Sequence, residues 1–371
     1  MNKILIFTRC TWTLINFRHD YIKFLQKKNL DITIACDFTY KDLHKIKKIF
    51  PKSKFKKINF LNKKKKILNE LIICIQIFKL LTNSKFDYIH NFTIRPVIYS
   101  TIISKIFTNS KILNSITGLG HIFNSSNNFF FKSLLNLVFI ISNHIIFQNK
   151  DDYKISTFDI IKKSIRYSII FPTIKSSLKN LVINRKKKSN KKIIFLMYCR
   201  LIKQKGVIEF LEAAELVYKK NKNLNFEFKL IGNIDKNNPS SLSKKEVNLW
   251  RRKKIIKIIN HKKNIINEIV SSDIVCLPSY GEGMPASLLE ALYFGKGIIT
   301  TDVNGCRELV KNNFNGYLIP PKNTFFLAEK FLNIINTPYL INYFGKNSIK
   351  LYKNNFSKNP YEIMSKIIKL L

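Results

Sequence analysis

Two runs of alternating strand-like and helix-like segments constrain the fold of this 371-residue chain more than any other feature. The first run extends from KILIFT and LDITIAC, with the helical pattern FRHDYIKFLQKKN between them, to HIIFQN at residues 144–149. The second begins at KIIFLMYC, residues 192–199, and ends in helical patterns that fill residues 324–371. Strands that alternate with helices are typical of βαβ units, so the chain is predicted to form two doubly wound α/β domains with parallel sheets.

A different kind of segment separates the two runs. Residues 171–190, FPTIKSSLKNLVINRKKKSN, have little helix signal and end in a basic run, as a linker does. We therefore predict an N-terminal domain, a linker, a C-terminal domain and a terminal helix, with the bounds 1–172, 173–190, 191–355 and 356–371.

The net charge of the chain limits the kinds of partner that it is expected to bind. Lysine and arginine number 65 against 23 acidic residues, which gives a formal net charge of +42. Such a charge attracts nucleic acid, an anionic membrane surface or anionic substrates, although drift in composition would also produce it. A nucleic-acid-binding protein is expected to interleave basic and aromatic residues on one module. Since the lysines are spread over both halves, we expect no nucleic-acid partner, and a basic nucleic-acid-binding protein stays only as an alternative function of another class.

The cysteines and the hydropathy of the chain indicate a compartment. The six cysteines are scattered, without a CxxC pair or a Cys/His set at zinc-ligand spacing, which fits reduced thiols in the cytosol. MNKILIFTRCTW at the N-terminus is strand-like rather than a signal peptide. No apolar run reaches about 18 residues. We therefore expect a cytoplasmic protein without a membrane span.

One helical segment has two interpretations. Residues 62–81, NKKKKILNELIICIQIFKLL, combine a lysine block with apolar residues at helical spacing, namely Leu68, Leu71, Ile72, Ile75 and Phe78. In the preferred interpretation this stripe faces the core and the lysines are a solvated cap. In the alternative, the segment is an interfacial helix on the anionic inner leaflet of a membrane.

A stretch with a different composition marks the candidate site. Residues 279–308, SYGEGMPASLLEALYFGKGIITTDVNGCRE, are rich in glycine and alanine and carry two glutamates eight positions apart. DIVCLPS is predicted as a strand, so YGEGM lies at its carboxyl end, where ligands of doubly wound folds bind. With Pro285 suited to the first helical position, the amides of Gly283, Met284 and Ala286 predict an anion site at a helix N-terminus.

The two glutamates are suited to bind neutral hydroxyl groups on a ligand that also carries an anionic group. Glu282 in the loop can accept hydrogen bonds from sugar hydroxyls, and Glu290, about a turn and a half into the helix, can reach a ribose diol. The segment YCRLIKQKG places Arg200 and Lys205 after the first strand of the second run, where their charges suit a diphosphate. The layout indicates a nucleotide diphosphate sugar. The alternative interpretations are purely structural. In these, Glu282 is a turn residue, Glu290 is a solvated helix residue, and Arg200 and Lys205 belong to a solvated basic turn.

These motifs resemble those of a known family. Residues 279–308 are similar to the E-x7-E signature of family 4 retaining glycosyltransferases with the GT-B fold, most of all the CapM-like and PglA-like bacterial surface-glycan branch. RLIKQKG is similar to that family's R-L-x-x-x-K-G. Four more segments resemble landmarks of the family and follow its order along the chain, namely FDYIHNFTIRP, SITGLGHIF, IIFQNKDD and LIGNIDKNNPSS. The resemblance therefore covers nearly the whole chain.

The resemblance implies a fold and an activity. The fold would have two Rossmann-like domains with a cleft between them and C-terminal helices that cross back. The enzyme would retain anomeric configuration and need no metal or other cofactor. It would move an N-acetylhexosamine or hexose from a UDP-sugar to a polyprenyl-diphosphate-linked glycan in lipopolysaccharide or capsule biosynthesis. We expect a peripheral protein on the inner leaflet of the cytoplasmic membrane, with the anionic membrane surface as a partner.

The resemblance also implies roles for single residues. Glu282 would contact donor-sugar hydroxyls and Glu290 the ribose, while Arg200 and Lys205 would neutralise the diphosphate as it leaves. Gly283, Met284 and Ala286 would supply amides to the sugar and the diphosphate, and Gly232 belongs with them and Glu290 to the donor-binding set. Two fixed cations and a helix terminus would then stabilise the leaving group without a metal. QNKDDY, with Asp151 and Asp152, is predicted to be a helix start rather than a metal site.

This chain departs from the family in its N-terminal half. Thr117 stands where many relatives have a histidine before G-L-G, and His121 follows four residues later. The first loop, TRCTWTLINFR, has no glycine, so that Thr11, Thr13 and Arg18 are candidates in its place. Arg18, Thr117 and His121 form the acceptor-side set.

A second enzyme class shares the fold. A nucleotide-sugar 2-epimerase would be expected to have an acidic and histidine-rich cleft for proton and elimination chemistry. Of the six histidines, only His90 and His121 are predicted near strand ends of the N-terminal domain. The epimerase therefore remains an alternative to the transferase.

Overall fold

The structure is a computed structural model that describes residues 2–60, 66–119, 129–179, 192–221, 225–235, 238–260 and 265–371. The chain divides into two compact units. Unit 1 consists of Met1–Phe171 and Asn359–Leu371, and unit 2 consists of Pro172–Lys358. The predicted domain bounds remain predictions, and most of the predicted linker, residues 180–190, lies outside the described residues.

A parallel sheet forms the centre of unit 1. Its strands are β1 (Lys3–Cys10), β2 (Asp31–Asp37), β3 (Ser53–Lys57), β4 (Tyr88–Phe92), β5 (Lys111–Ile116), β6 (His144–Phe147) and β7 (Tyr167–Ile169). The seven strands are ordered β3-β2-β1-β4-β5-β6-β7, and every described pair is parallel. The order reverses beside β1, which places a topological switch point between β1 and β4.

Helices connect these strands. They are α1 (Thr11–Thr13), α2 (His19–Gln26), α3 (Tyr40–Ile49), α4 (Lys66–Thr82), α5 (Ile94–Phe107), α6 (Phe129–Ile141) and α7 (Lys150–Ser156). A π-helical segment, Leu14–Arg18, joins α1 to α2. π-Helical turns are rare and are frequent at functional sites.

Unit 2 repeats the same design. Its helices are α8 (Ser176–Lys179), α9 (Val207–Lys220), α10 (Lys244–Arg252), α11 (Ile266–Ser271), α12 (Ala286–Tyr293), α13 (Thr324–Asn336) and α14 (Tyr339–Asn355). Its strands are β8 (Ile193–Tyr198), β9 (Phe226–Ile231), β10 (Ile256–Ile259), β11 (Ile274–Leu277), β12 (Gly297–Thr301) and β13 (Gly316–Ile319). These six strands are parallel and are ordered β10-β9-β8-β11-β12-β13.

The last helix, α15 (Pro360–Leu370), returns to unit 1. Its residues Met364, Ile367 and Ile368 are buried in the same cluster as Ile4 and Ile34 of the unit 1 sheet. The expected crossing back of a C-terminal helix is therefore confirmed. Together, the two parallel-sheet units confirm the predicted GT-B architecture.

Several helices begin at a polar residue that accepts a hydrogen bond from the first turn. Thr39 before α3 and Ser243 before α10 each form a reciprocal capping box with the acid three residues later. Asn323 and Asn359 cap α13 and α15 through their side-chain oxygens. These caps satisfy amides that have no partner inside the helix.

Some predicted elements differ from the structure. The prediction of a short helix at CRELV is wrong. This segment forms consecutive turns, in which the amides of Cys306 and Leu309 donate to carbonyls three residues earlier. The strands β3 and β7 and the helix α3 were not predicted. In β3, the sequence SKFKK carries three lysines, so that this edge strand lacks the alternation of apolar residues that the prediction required.

The preferred interpretation of α4 is also wrong. Leu68, Leu71, Ile75 and Phe78 are exposed rather than buried. Another set of α4 side chains packs into the core, and it consists of Ile73, Ile77, Leu80 and Leu81. Among the described residues, no helix has the length and apolar character to cross a bilayer.

Candidate active site

The structure brings together two predicted site residues that belong to separate sequence motifs. Lys205 follows β8 and Glu282 follows β11, and these two strands are neighbours in the sheet of unit 2. The Nζ of Lys205 forms an ion pair with Oε1 of Glu282, and the side chains are only 21% and 10% exposed. A partly buried cation and anion are therefore in contact at the carboxyl edge of the sheet, where ligands of this fold class bind.

The backbone around Lys205 is constrained by a close approach to the next loop. Gly206 has a φ of +74°, and a Cβ at this position would overlap the carbonyl oxygen of Pro278. The amide of Tyr280 donates to the carbonyl of Gln204 over 2.9 Å, which ties the same two loops together. Glycine is thus required at position 206 for the loop of Lys205 to lie against the loop of Glu282.

A second glycine supports Glu282 from the other side. Glu282 donates its amide to the carbonyl of Asn304 over 3.2 Å. Gly305 has a φ of +72°, and a Cβ here would overlap the carbonyl oxygen of Gly283 and lie 2.7 Å from that of Glu282. Gly305 was not among the predicted site residues, although the pair Asn304–Gly305 is a turn signal.

Glu290 lies on α12 in a half-buried position beside Tyr198, the last residue of β8. The Tyr198 hydroxyl lies 3.0 Å from Oε2 of Glu290 and 2.7 Å from the carbonyl oxygen of Ser287. Burial raises the pKa of Glu290, while the Tyr198 hydrogen bond and the charge of Lys175 act in the opposite direction. Glu290 is therefore held by a specific partner and is not a freely solvated helix residue.

Pro285 precedes this helix instead of starting it. It is the N-cap residue, with a φ of −72° and a ψ of 115°, and the first helical residue is Ala286. Met284 and Ala286 flank it at the N-terminus of α12, as the sequence analysis expected. Their proposed contacts with a sugar or a diphosphate remain predictions.

Two other predicted residues lie beside this pair without joining it. Arg200 directs Nη1 to Oδ2 of Asp235 over 2.9 Å and is about half exposed. A Cβ at Gly232 would overlap the carbonyl oxygen of Cys199, so that this glycine permits the loops after β8 and β9 to approach each other. Asp235 was not among the predicted site residues, since an acid in a loop gives no periodic signal.

Two cysteines near the ion pair of Lys205 and Glu282 are unreactive at neutral pH. Burial raises the pKa of Cys199 and of Cys306 to about 12, with Lys205 and Glu282 among the charges that act on both thiols. Both side chains therefore stay protonated at neutral pH and are poor nucleophiles.

Asp151 and Asp152 are predicted to belong to a helix start and not to a metal site. Within the described ranges, no group of three or more His, Cys, Asp or Glu side chains is arranged to hold an ion. Asn149 caps α7 by accepting from the Asp152 amide over 2.6 Å, and its Nδ2 donates to Oδ2 of Asp152 over 2.9 Å. These two acids are therefore part of a helix start, as expected.

Arg18 is the best-defined residue of the acceptor-side set. It ends the π-helical segment of unit 1, and its guanidinium lies 4.0 Å from the ring centroid of Phe92 at the carboxyl end of β4. Its Nε is buried without a hydrogen-bond partner in the described part of the chain. Burial lowers the pKa of Arg18 to about 10. A cation in such a place is suited to an anion that is not part of the described chain.

The other N-terminal candidates are less informative. Thr13 donates to the carbonyl of Cys10 over 2.7 Å, and Thr11 donates to the carbonyl of Asp37 over 3.3 Å, so both hydroxyls are used within the loop. Thr117 follows β5 in a half-buried position. His121 lies outside the described residues.

His90, which the epimerase alternative invoked, is a core residue. It is fully buried, with Nδ1 2.7 Å from the Tyr21 hydroxyl and Nε2 2.8 Å from Oγ of Ser115. Burial lowers the pKa of His90 well below its usual range, with a smaller effect from the charge of Arg18. A neutral histidine that is bonded at both nitrogens is suited to a structural role.

Comparison with protein families gives two matches. The model described as "Glycosyl transferases group 1" matches residues 180–351, and the model "Glycosyl transferase 4-like" matches residues 3–149. The first includes every candidate residue of unit 2, and the second includes the described acceptor-side residues.

Two of the curated relatives are bacterial glycosyltransferases. The chain is 32% identical over 211 residues to N,N'-diacetylbacillosaminyl-diphospho-undecaprenol alpha-1,3-N-acetylgalactosaminyltransferase of Campylobacter jejuni, which covers 54% of each protein. It is 25% identical over 309 residues to UDP-Gal:alpha-D-GlcNAc-diphosphoundecaprenol alpha-1,3-galactosyltransferase of Escherichia coli, with 78% of this chain and 77% of the relative covered. The chain thus spans about half the length of the first of these relatives and three quarters of the second.

Solved structures show a similar fold. A glycosyltransferase from Rickettsia africae has a TM-score of 0.72 at 20% identity and is covered to 99%, as is this chain. The Anabaena protein HepE in complex with UDP has a TM-score of 0.73 at 14% identity over the full length of both chains. At these identities, the similarity extends to the fold alone.

Proposed function

The chain belongs to the family 4 glycosyltransferases of the GT-B fold, and on this premise we propose a specific reaction for it. It transfers a sugar, an N-acetylhexosamine or a hexose, from a UDP-sugar to a polyprenyl-diphosphate-linked glycan of a bacterial surface polysaccharide. The reaction retains the anomeric configuration and uses no metal ion.

The observation that carries this proposal is the ion pair of Lys205 and Glu282. Each residue suits a different part of a nucleotide diphosphate sugar, the ammonium for the diphosphate and the carboxylate for sugar hydroxyls. In the structure they satisfy each other, which keeps both charges compensated in a partly buried place. The donor replaces this contact with two new ones, so that the leaving diphosphate meets a preorganised cation.

Glu290 and Arg200 complete the donor site in this proposal. The Tyr198 hydroxyl orients the Glu290 carboxylate about a turn and a half along α12 from the sugar end, where it binds the ribose diol. Arg200 exchanges Asp235 for the diphosphate and adds a second cation. Because both cations are fixed on the protein, they perform the charge stabilisation that a metal would otherwise give.

The proposed acceptor follows from the relatives and from unit 1. Two relatives have names that specify a diphospho-undecaprenol acceptor. In this chain, the Arg18 guanidinium on Phe92 is a cation at a strand end of unit 1, and we assign it to the anionic part of such an acceptor. The enzyme then works at the anionic inner leaflet of the cytoplasmic membrane as a peripheral protein.

A thermal-shift panel tests the donor. UDP and UDP-sugars at millimolar concentration should raise the melting temperature, whereas GDP and ADP species should not, because only a ligand of the native state stabilises it. Lys205→Ala should abolish the shift. Lys203→Ala is the matched control, since this lysine lies in the same turn and is more than half exposed. A shift with another nucleotide and none with UDP species would overturn the donor assignment.

Product analysis separates the transferase from the epimerase. With a UDP-sugar and a polyprenyl-diphosphate glycan, the transferase should release UDP in amounts equal to the extended glycan. Without the acceptor, the donor should remain unchanged. A donor that is epimerised at C2 in the absence of acceptor would establish the alternative instead.

A further inference from the structure

The outer surface of α4 carries a stripe of large apolar side chains. Leu68, Leu71, Ile75 and Phe78 follow one another at helical spacing over about 15 Å and are 50%, 56%, 52% and 39% exposed. The stripe continues onto the end of α5, because the rings of Phe78 and Phe107 are 4.9 Å apart. Phe107 and its neighbour Ile106 are 54% and 66% exposed. We call these six residues the α4–α5 patch.

The core does not require this patch. A separate face of α4 already packs on the sheet through Ile73, Ile77, Leu80 and Leu81, and all four side chains are buried. Single exposed apolar residues are ordinary on protein surfaces, but a continuous group of six marks a binding surface.

The charges around the patch favour one kind of partner. Lys79 and Lys105 are exposed and lie within two positions of Phe78 and Phe107 along the chain. The sequence has no acidic residue between positions 88 and 150, and four lysines occupy positions 63–66 directly before the stripe. The single acid of α4, Glu70, is paired with Arg95 over 2.9 Å and accepts from the Tyr99 hydroxyl over 2.8 Å.

We propose that the α4–α5 patch inserts into the headgroup region of an anionic lipid bilayer and docks unit 1 on the membrane. Apolar side chains enter the acyl boundary, while the flanking lysines bind lipid phosphates, as in interfacial helices. A partner protein with mixed surface charge would leave these lysines without enough acids opposite them. The inference rests on the proposed function, since a lipid-linked acceptor requires the enzyme to work at a bilayer.

Vesicle flotation tests the surface. The full chain should float with vesicles of phosphatidylglycerol and phosphatidylcholine and bind pure phosphatidylcholine more weakly, and 1 M NaCl should reduce the binding to the anionic vesicles. The triple variant Leu71→Gln, Ile75→Gln, Phe78→Gln should lose about tenfold or more of this partitioning. The control triple Leu249→Gln, Phe325→Gln, Phe326→Gln removes apolar residues of unit 2 that are at least as exposed, and it should float like the wild type.

Two activity measurements separate this inference from the proposed function. With a short-chain, water-soluble acceptor, the α4 triple variant should transfer sugar as the wild type does, and with the acceptor in vesicles its rate should fall. A wild type that lacks transfer on both acceptors would disprove the proposed function, while flotation would still decide the role of the patch. Unchanged flotation of the α4 triple variant, or a change only in its oligomeric mass, would overturn the membrane assignment.

Discussion

Lys205 and Glu282 are 77 positions apart in the chain, yet they form one ion pair at the carboxyl edge of a single sheet. The contact depends on two neighbouring parallel strands, β8 and β11, and on Gly206 and Gly305, which let the loops pack backbone to backbone. The donor site is therefore one cooperative unit built from two loops, and the following predictions test its parts.

Removal of the Glu282 carboxylate should affect turnover most. Glu282→Ala is expected to lower kcat about 100-fold, because a residue that positions the sugar sets the geometry at the reacting carbon. Steady-state kinetics on Glu282→Ala, Lys205→Ala and the double variant measure this effect. The two single losses should not add up in the double variant, since the residues contact each other. Wild-type kcat and KM in Glu282→Ala would reduce this glutamate to a structural role.

Removal of the Glu290 carboxylate should affect donor affinity instead. Its proposed contact with the ribose is far from the bond that breaks, so the contact is equal in the ground state and the transition state. A hydrogen bond to a charged group is worth about 1.5–3 kcal/mol, so KM for the donor should rise about 10- to 150-fold in Glu290→Ala with kcat spared. The variant must melt near the wild type, and a fall in kcat at unchanged KM would contradict the ribose assignment.

The same residue should leave a signature in the pH dependence of stability. Because burial raises the pKa of Glu290 in the folded state, the folded chain keeps a proton that the unfolded chain releases above about pH 4.5. Stability from this group is complete at lower pH and is lost as pH rises through the folded-state pKa. Glu290→Gln should therefore lose less of its melting temperature than the wild type between pH 4.5 and 8. The exposed Glu329→Gln should follow the wild type, and identical curves for all three proteins would refute the prediction.

Gly305 should be required for the geometry of the loop with Glu282. Gly305→Ala combines a left-handed backbone with overlap against the Gly283 carbonyl, which costs about 1–3 kcal/mol from strain alone. We expect a lower melting temperature and at least a tenfold loss of kcat/KM. Gly281→Ala, in the loop of Glu282 itself and without a left-handed φ, should melt near the wild type. Full activity in Gly305→Ala would show that the loop tolerates displacement.

Transfer should continue after chelation. Lys205 and Arg200 are proposed to carry the charge of the leaving diphosphate, so EDTA should change the initial rate by less than about twofold. Complete loss with EDTA, followed by recovery with magnesium or manganese, would mean that a metal ion handles the leaving group.

Local patterns in the sequence predicted the architecture of two parallel-sheet domains and pointed to candidate residues at the ends of their strands. Hydrophobic periodicity predicted most of the strands and helices in their order but not β3, β7 and α3, and connection by helices required parallel strands, which is what both sheets show. Since the carboxyl ends of parallel strands share one edge, Lys205 and Glu282 could be expected on the same side of unit 2. Their direct contact, and the pairing of Arg200 with Asp235 instead of with the same group, depend on side-chain directions in loops, which have no periodic signal.

The two apolar faces of α4 show the limit of what a local sequence pattern can predict. The sequence by itself determined that residues around 66–82 form an apolar helix, because propensity and spacing act within a few turns. Only the tertiary structure decided that Ile73 and Ile77 turn toward the sheet while Leu71 and Ile75 face the solvent. Both stripes are apolar, so their hydrophobicity does not distinguish them. The choice depends on which stripe fits the sheet beneath it, and that packing involves residues from distant parts of the chain.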